Sequence, residues 1–376
     1  MNRIDELQNK YPEIPRDVIL KHDVLVQGVR DGEDIDKASD WRRLLETYQS
    51  SDYDVTLSDL AERTPWRVKP GFMLRPSVMY FKSGMGANVR LRSASPYSIR
   101  ETSEGRFALC QGDEQVEEIY FPRPKQRTAP EPTTSRGTPI SNVIDFKRRC
   151  FWLVPTRYCQ YFSMGDQCKF CNLNANHKEA NAVGLGHATT LNLNETVEAY
   201  QLRAAEVPLI EGGFVMGGFL KAEQEAKIYL DFIGALAKAA PYKPNFTVHT
   251  QAMDRKDMQR LKDVGLDAFI IQIEVMDPQL FEEVCPGKAK HMPYERWLEC
   301  FQDAVDIFGV GNAAGKLIPG ITMLPSNGHK SWQEARDYHI QANNWLIKNG
   351  ALPGFYAMWW APGSVYEDRS YVEKFP

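Results

Sequence analysis

The sequence of 376 residues lacks any run of about 18 apolar residues, the length that a membrane-spanning helix needs. Its first residues, MNRIDELQNKYPEI, also lack the basic start and apolar stretch of a signal peptide. The net charge is only −4, and no block of like charge favours a nucleic acid or an anionic membrane as a partner. These absences predict a cytoplasmic protein that acts on small molecules, with no nucleic acid and no membrane among its partners.

Cysteine is scarce, with seven in the chain, and the odd number argues against a disulfide framework. Three of the seven, Cys159, Cys168 and Cys171, are nevertheless crowded into the segment CQYFSMGDQCKFC (159–171). In the reducing cytosol such crowding favours thiolate ligands over disulfides. The segment therefore predicts either a metal or cluster site with a reaction to carry out, or a structural clip.

The chain is too long for one average core, and its pattern changes along its length. Residues 1–122 combine helical spacing, as in IPRDVILKHDVLVQGV and DWRRLLETYQ, with alternating segments typical of a small antiparallel sheet. Residues 123–142 are rich in proline and threonine and predict a linker. We therefore expect an α+β accessory domain over 1–122 and a larger domain over 143–376.

The larger domain alternates short apolar strands with amphipathic helices. The predicted strands are FWLVP (151–155), GGFVMGG (212–218), FTVHT (246–250), AFIIQIE (268–274), AAGKLIPGI (313–321) and GFYAMWW (354–360). Strands and helices in this alternation predict an α/β fold with a parallel sheet. We expect a partial (β/α)6 barrel of the TIM type rather than a full eight-stranded one.

The cysteine segment follows the first of these strands, so it lies at the carboxyl end of the sheet, where a β/α barrel builds its active site. Thiolates are soft ligands that suit an iron–sulfur cluster or zinc. A structural zinc site needs a fourth ligand. Cys150 would supply one, although it comes at the start of the strand and points to the opposite end. A redox pair within CKFC is a further alternative, without the flanking pattern of a thioredoxin-like protein.

These residues resemble the radical S-adenosylmethionine superfamily, whose members usually carry a C-x3-C-x2-C loop after the first strand of a partial barrel. Phe170 occupies the aromatic position that the family places just before the last cysteine. The spacing here is C-x8-C-x2-C, so the loop is longer than usual. The run from KDVGLDAFIIQIE through EEVCPGK to YERWLEC is similar to the branch of biotin synthase, methylornithine synthase and the hydrogenase maturases.

The resemblance implies that Cys159, Cys168 and Cys171 ligate three irons of a [4Fe-4S] cluster, while S-adenosylmethionine chelates the fourth. Reductive cleavage of this cofactor would yield a 5′-deoxyadenosyl radical that abstracts hydrogen from a small-molecule substrate. The electron would come from a low-potential donor of the flavodoxin or ferredoxin type.

The resemblance also implies cofactor contacts at the carboxyl ends of the strands. The residues are Phe170, Gly217, Gly218, His249, Gln251, Glu274, Ile318, Gly320 and Arg157. The two glycines are expected at the amino group of S-adenosylmethionine, and Glu274 at its ribose or methionyl part. Ile318 and Gly320 resemble the backbone stretch that contacts adenine. Arg157 would neutralise the cofactor carboxylate or the cluster charge, unless it is an ordinary surface arginine.

Four further residues are candidates for catalysis: Cys285, Lys288, His291 and Trp359. Cys285 is expected to exchange a hydrogen atom with the substrate or else to pack in the core. Lys288 and His291 would grip an anionic substrate or else form a solvated turn. Trp359 and its neighbour Trp360 point to opposite sides of their strand, so one of the two would line the cavity.

The subsequent reaction is constrained mainly by what the chain does not contain. The cysteines outside the cysteine segment are dispersed, which disfavours a second cluster for sulfur insertion, and no D-x-H-x-x-G pattern indicates a cobalamin domain. These absences favour carbon-skeleton rearrangement or carbon–carbon bond chemistry, by a lyase, mutase or transferase. Two alternative functions are a zinc-binding barrel protein with Cys150 as fourth ligand, and a non-catalytic cluster-bearing maturation scaffold.

Overall fold

The computed structural model describes most of the chain. The described residues are 2–30, 32–37, 68–69, 72–73, 78–92, 94–121, 132–147, 150–182, 188–206, 210–241, 243–356, 358, 361 and 363–367. The chain forms two compact units, Met1–Pro130 with Glu179–Gly186, and Glu131–Lys178 with His187–Pro376. The end of the predicted linker, 132–142, belongs to the second unit, because Ile140 is buried in that unit's core.

The first unit is built from helices and an antiparallel sheet. Its helices are α1 (Arg3–Lys10), α2 (Arg16–Gln27) and α3 (Glu33–Lys37). Its strands are β1 (Val68–Lys69), β2 (Phe72–Met73), β3 (Val78–Phe81), β4 (Gly86–Asn88), β5 (Tyr97–Glu101), β6 (Phe107–Gln111) and β7 (Glu114–Tyr120). The last five form an antiparallel sheet in the order β4-β3-β7-β6-β5. The predicted smaller α+β domain is thus confirmed, whereas the predicted helix DWRRLLETYQ lies outside the described residues.

The second unit is built on a seven-stranded sheet. Its strands are β8 (Asp145–Lys147), β9 (Cys150–Leu153), β10 (Gly212–Met216), β11 (Asn245–Thr250), β12 (Leu266–Glu274), β13 (Ala313–Leu317) and β14 (Leu352–Phe355). Strands β9 to β14 lie side by side in chain order and pair in parallel, which confirms the partial-barrel fold class. The first five predicted strands overlap β9 to β13. β14 ends at Phe355, so among the described residues only the first two of the predicted strand 354–360 lie in a strand. β8 was not predicted, and it pairs antiparallel with β9 at the edge. Its three residues are too few to show a periodic pattern.

The helices of this unit connect the strands and cover one face of the sheet. They are α4 (Gln160–Ser163), α5 (Leu173–Ala182), α6 (Leu193–Glu206), α7 (Ala222–Ala239), α8 (Arg255–Asp263), α9 (Pro278–Val284), α10 (Pro286–His291), α11 (Tyr294–Phe308) and α12 (Trp332–Lys348). Residues 179–182, at the end of α5, belong to the first unit. Phe151 meets Tyr200 of α6 edge to face, with ring centroids 5.6 Å apart. A Cβ atom on Gly315 would lie 2.8 Å from Leu346 of α12, so this glycine also faces the helices.

Successive side chains of a strand point to opposite faces of the sheet. Phe151 and Gly315 face the helices, so the residues that follow them, Trp152 and Lys316, face away from the helices. Phe214 stacks on Trp152 and therefore lies on the same face as Trp152. We call this surface the inner face of the sheet. In the described part of the chain, no helix is both long enough and apolar enough to cross a membrane.

Candidate active site

The cysteine loop, residues 159–171, follows β9 at the carboxyl edge of the sheet and contains the short helix α4. Cys159 and Cys168 are buried, and Cys171 is half-buried. Cys159 and Cys171 pack in one apolar cluster with Tyr161 and Phe219, and Cys168 is close enough to act electrostatically on both. The structure therefore brings the three predicted thiol ligands together.

The glycine turn that follows β10 lies directly against this loop. A Cβ atom on Gly218 would come within 2.2 Å of the Tyr158 carbonyl oxygen and 2.8 Å of the Cys159 nitrogen. A Cβ atom on Gly217 would come within 2.7 Å of the Thr156 carbonyl oxygen, which accepts a hydrogen bond from the Gly218 N–H at 3.0 Å. Only glycine permits such a close approach of two backbone segments. The turn therefore fixes the backbone at the first cysteine.

The other half of the loop is held by the segment after β12. The Lys169 N–H donates to the Val284 carbonyl, and the Gly287 N–H donates to the Asp166 carbonyl, both at 2.9 Å. A Cβ atom on Gly287 would lie 2.5 Å from the Asp166 oxygen and from the ring of Tyr161. The loop is thus held between chain segments that follow the second and the fourth parallel strands.

The three thiols differ in their electrostatic surroundings. Burial raises the pKa of Cys159 to about 11, and burial also raises the pKa of Cys171. A hydrogen bond with Cys285 lowers the pKa of Cys168 against the effect of its burial, and the charge of Lys288 lowers it further. Three thiolates in such a buried place require a positive centre to offset their charge. Soft thiolate donors with no fourth cysteine in the loop fit an iron–sulfur cluster that keeps one iron open.

Cys150, the alternative fourth ligand, is the first residue of β9 and pairs in register with Gly212, the first residue of β10. It therefore lies at the amino end of the sheet, and the structure does not bring it to the cysteine loop. Within the described ranges, no group of three His, Cys, Asp or Glu side chains is arranged to hold a single metal ion.

A buried ion pair lies beside the loop. The Lys288 Nζ atom is 3.0 Å from Glu274 Oε1, with the two side chains only 1% and 7% exposed, and it also donates to the Gln272 carbonyl. Burial alone would lower the pKa of Lys288, but the negative charges of Glu274, Cys168 and Cys285 raise it above its usual value. Lys288 therefore carries a positive charge next to the predicted ligands, and its alternative as a solvated turn residue is wrong.

Glu274 has an unusual backbone conformation. Apart from the glycines, it alone among the described residues has a positive φ, 67°. This region costs a non-glycine residue about 1 kcal/mol or more. The Glu274 carbonyl accepts a hydrogen bond from the Ile318 N–H at 3.1 Å, which joins the ends of β12 and β13. Strain that neighbouring contacts hold in place at a strand end is typical of a functional site.

We expect Lys288→Met to lower the free energy of unfolding by about 3–5 kcal/mol, because it leaves the Glu274 carboxylate buried without its partner. Glu274→Gln alone should cost a comparable amount. The double variant should recover much of the loss, since neither charge then remains. Denaturant unfolding of the four proteins measures this coupling. If the losses in free energy of unfolding from the two single changes simply added in the double variant, Lys288 and Glu274 would not stabilise the fold as an ion pair.

Gln251 uses its side-chain amide fully inside the protein. Its Nε2 atom donates to Glu225 Oε2 and to the Leu220 carbonyl, both at 2.6 Å, and its Oε1 atom accepts from the Tyr161 hydroxyl at 3.0 Å. Burial raises the pKa of Glu225 to about 7, against the hydrogen bonds that it accepts. In this geometry Gln251 supports Tyr161, a neighbour of Cys159 in the loop. The sequence did not single out Glu225, because AEQEAK has the ordinary pattern of a helix start.

The other predicted cofactor residues also lie near the carboxyl edge. Arg157 is 6% exposed and donates to the Ala188 carbonyl at 2.9 Å, so it is not a surface arginine. Ile318 is buried just after β13, and Gly320 adopts a left-handed conformation with φ of 85°. Phe170 is half-buried in the loop itself. His249, in β11, is 5% exposed.

The predicted catalytic residues are placed differently from one another. Cys285 is fully buried and hydrogen-bonded to Cys168, so its sulfur contacts the cysteine loop. His291 is exposed, and its ring stacks on Tyr161 with centroids 5.6 Å apart. Trp359, like its neighbour Trp360, lies outside the described residues.

One buried side chain near the loop was missed at the level of the sequence. Asn176 lies in α5, directly after the cysteine loop, and is 1% exposed. Neither its side-chain nitrogen nor its side-chain oxygen has a hydrogen-bond partner among the described residues. The segment NLNANHKEA reads as a polar surface helix, so no pattern marks this residue.

Comparisons with known proteins add the following. No family model matches the chain. A curated protein, bacteriochlorophyllide c C-7(1)-hydroxylase from Chlorobaculum limnaeum, is 26% identical over 203 residues, which cover 49% of each protein. The chain thus spans about half the length of this relative.

Similar solved structures have low sequence identity to the chain. They include methylornithine synthase, with 12% identity, 60% of this chain and 57% of that one covered, and a TM-score of 0.42. The FeFe-hydrogenase maturase HydG from Carboxydothermus hydrogenoformans has 16% identity, coverages of 55% and 44%, and a TM-score of 0.41. The cobalamin-dependent S-adenosylmethionine radical enzyme OxsB has 14% identity, coverages of 85% and 39%, and a TM-score of 0.38.

The cysteine loop after the first strand of the parallel sheet carries three thiols, and the glycine turn after the second strand lies directly against it. Cys285, which contacts Cys168, comes from the segment after the fourth strand and is not part of the loop. The sequence pattern predicted the radical S-adenosylmethionine superfamily, whose cofactors are a [4Fe-4S] cluster and S-adenosylmethionine. The prediction is confirmed: the chain resembles the radical S-adenosylmethionine superfamily.

Proposed function

We propose that the protein is a radical S-adenosylmethionine enzyme that removes a hydrogen atom from a small-molecule substrate. The observation that carries this proposal is the cysteine loop. Cys159, Cys168 and Cys171 lie together at the carboxyl edge of the sheet, while Cys150 begins its strand at the other edge. A set of three thiolates supports a cluster with one open iron, whereas a closed structural zinc site takes four protein ligands.

The three cysteines would hold the cluster, and Lys288 would offset part of their negative charge. When bound, the reduced cluster and S-adenosylmethionine supply a 5′-deoxyadenosyl radical as the hydrogen-abstracting species. The protein's own part is to fix the loop through the glycine turn and to keep water away from it, for which the burial of Cys159 and Phe219 is suited.

We propose that S-adenosylmethionine lies along the carboxyl ends of the strands. The residues proposed to contact it are Phe170, Gly217, Gly218, Glu274, Ile318, Gly320 and Arg157. Gln251 would act through Tyr161, because its amide is already engaged. We propose Lys288 and Cys285 as positioning residues of the cysteine loop, since both contact it or its partners. His291 and Trp359 stay predictions as contacts of the substrate.

We propose carbon-skeleton rearrangement or carbon–carbon bond chemistry as the step that follows hydrogen abstraction. Hydroxylation at a carbon–hydrogen bond is a second candidate, because the curated relative is a hydroxylase. The seven cysteines are free thiols, which suits a reducing compartment such as the cytoplasm. There a low-potential donor of the flavodoxin or ferredoxin type would supply the electron.

Purification under anaerobic conditions tests the proposal. We expect a brown protein with about four irons per chain, as one four-iron cluster requires, whose visible absorbance bleaches with dithionite. Addition of S-adenosylmethionine to the reduced protein should then yield 5′-deoxyadenosine. A colourless protein that contains zinc would contradict the cluster. A brown protein that forms no 5′-deoxyadenosine would instead support the maturation scaffold.

A further inference from the structure

The inner face of the sheet carries a histidine and a lysine beside two aromatic rings. Phe214 stacks on Trp152 with ring centroids 4.7 Å apart, and the ring of His249 stands edge-on to Phe214 at 5.9 Å. Lys316 lies on the same face in β13, with β12 between it and His249. The inner face thus combines two apolar aromatic rings with two polar side chains.

Lys316 is a half-buried cation for which the described residues supply no anionic hydrogen-bond or ion-pair partner. Within the part of the chain that the structure describes, it forms no hydrogen bond or ion pair, and its Nζ atom lies 3.7 Å from the centroid of the Tyr356 ring. Burial lowers the pKa of Lys316, and the charge of Glu274 opposes this effect. Glu274 is itself bound to Lys288 at 3.0 Å, so its carboxylate is already paired.

His249 is a buried residue of the inner face, and its ring carries two polar nitrogen atoms. It is 5% exposed, and neither nitrogen has a hydrogen-bond partner among the described residues. Burial, and then the charge of Lys316, lower the pKa of His249 to about 3. At neutral pH the ring is therefore uncharged and offers one N–H donor and one acceptor. Buried polar atoms normally have hydrogen-bond partners. The lack of such partners for the two ring nitrogens among the described residues points to a ligand.

We propose that the inner face binds a substrate whose carboxylate lies next to a flat apolar group. Lys316 and the N–H of His249 would hold the carboxylate, and the apolar group would lie against Phe214 and Trp152. A monoanion fits this place better than a phosphate dianion, because Lys316 supplies a single charge and Glu274 adds a negative one nearby.

The inferred site adjoins the proposed cofactor site. His249 pairs in register with Met216, the residue directly before the glycine turn. A substrate held by His249 would therefore lie near the cysteine loop, where hydrogen abstraction is proposed. The inference rests on the proposed function in this respect, because the inner face is a substrate site only if the loop carries the reaction.

Anaerobic calorimetric titration of the cluster-loaded protein with benzoate, benzamide and phenyl phosphate tests the inference. We expect benzoate to bind about tenfold or more tightly than benzamide, which lacks the charge. Lys316→Met and His249→Phe should each weaken benzoate binding by about tenfold or more. His249→Gln keeps a donor and should stay close to the parent protein. Lys227→Met, at an exposed position on α7, is the matched control and should leave benzoate binding unchanged.

Absence of benzoate binding, equal affinity for benzoate and benzamide, or unchanged affinity in Lys316→Met would each overturn the inference. Tighter binding of phenyl phosphate than of benzoate would overturn the carboxylate assignment. If Lys316→Met does not fold, the comparison of His249→Phe with His249→Gln decides instead. The titration needs neither reductant nor S-adenosylmethionine. Benzoate binding without 5′-deoxyadenosine formation would therefore contradict the proposed function, and the reverse result would contradict only this inference.

Discussion

Replacing Cys159, Cys168 or Cys171 with alanine is expected to remove the cluster iron and to reduce 5′-deoxyadenosine formation to the limit of detection. Each thiolate would hold one iron, so loss of any one leaves the cluster with too few protein ligands. The three variants should behave alike, because the thiols lie together in one loop. Iron content, visible absorbance and chromatography of the reaction products measure the effect.

Cys150→Ala is the matched control for these variants. Cys150 is a half-buried cysteine in the same part of the chain, but it begins β9 at the amino end of the sheet. We expect its replacement to leave iron content and product formation unchanged. Product formation that survives in the loop variants would contradict the ligand assignment. Loss of bound metal in Cys150→Ala would support the zinc alternative.

Gly218→Ala is expected to prevent most cluster binding although it changes no ligand. The new methyl group would lie 2.2 Å from the Tyr158 carbonyl oxygen and 2.8 Å from the Cys159 nitrogen, so one of the two backbone segments must move. Such overpacking costs about 1–3 kcal/mol of stability. We expect iron occupancy and 5′-deoxyadenosine formation to fall about tenfold or more, as a displacement of about 1 Å can cost more than that in a catalytic site.

Gly212→Ala is the matched control for Gly218→Ala. Gly212 is the first residue of β10, and the glycine turn follows the last residue of the same strand. A methyl group there would meet the Asn245 oxygen and the Cys150 sulfur at 3.5 Å, an ordinary van der Waals distance. We expect normal iron content and near-normal stability for this variant. Full iron occupancy in Gly218→Ala would show that the glycine turn does not fix the cysteine loop.

The parallel strands could be predicted because their own residues carry the signal. Short apolar runs such as FTVHT and AFIIQIE, separated by amphipathic helices, match β11 and β12 closely. The place of the cysteine loop followed from this order, since a segment after the first strand lies at the carboxyl edge. The edge strand β8 was missed because it has only three residues.

The contacts around the loop could not be predicted, because they join residues that are distant in sequence. Glu225 reads as an exposed residue of a helix start, yet it is buried and accepts hydrogen bonds from Thr250 and Gln251. Lys288 reads as a turn residue, yet its ammonium lies in the core beside Glu274. A pattern of local polarity does not reveal which charges a fold brings together.

The way the cysteine loop is held also sets the order of events during synthesis. Lys169 pairs with Glu283, which lies 114 residues later in the chain. Closing so long a segment is slow compared with the formation of local helices. A nascent chain that has emerged only to residue 171 thus has all three cysteines but lacks both segments that shape their loop. We therefore expect the cysteine loop to take up a cluster only after translation has passed residue 287, when both of these segments are present.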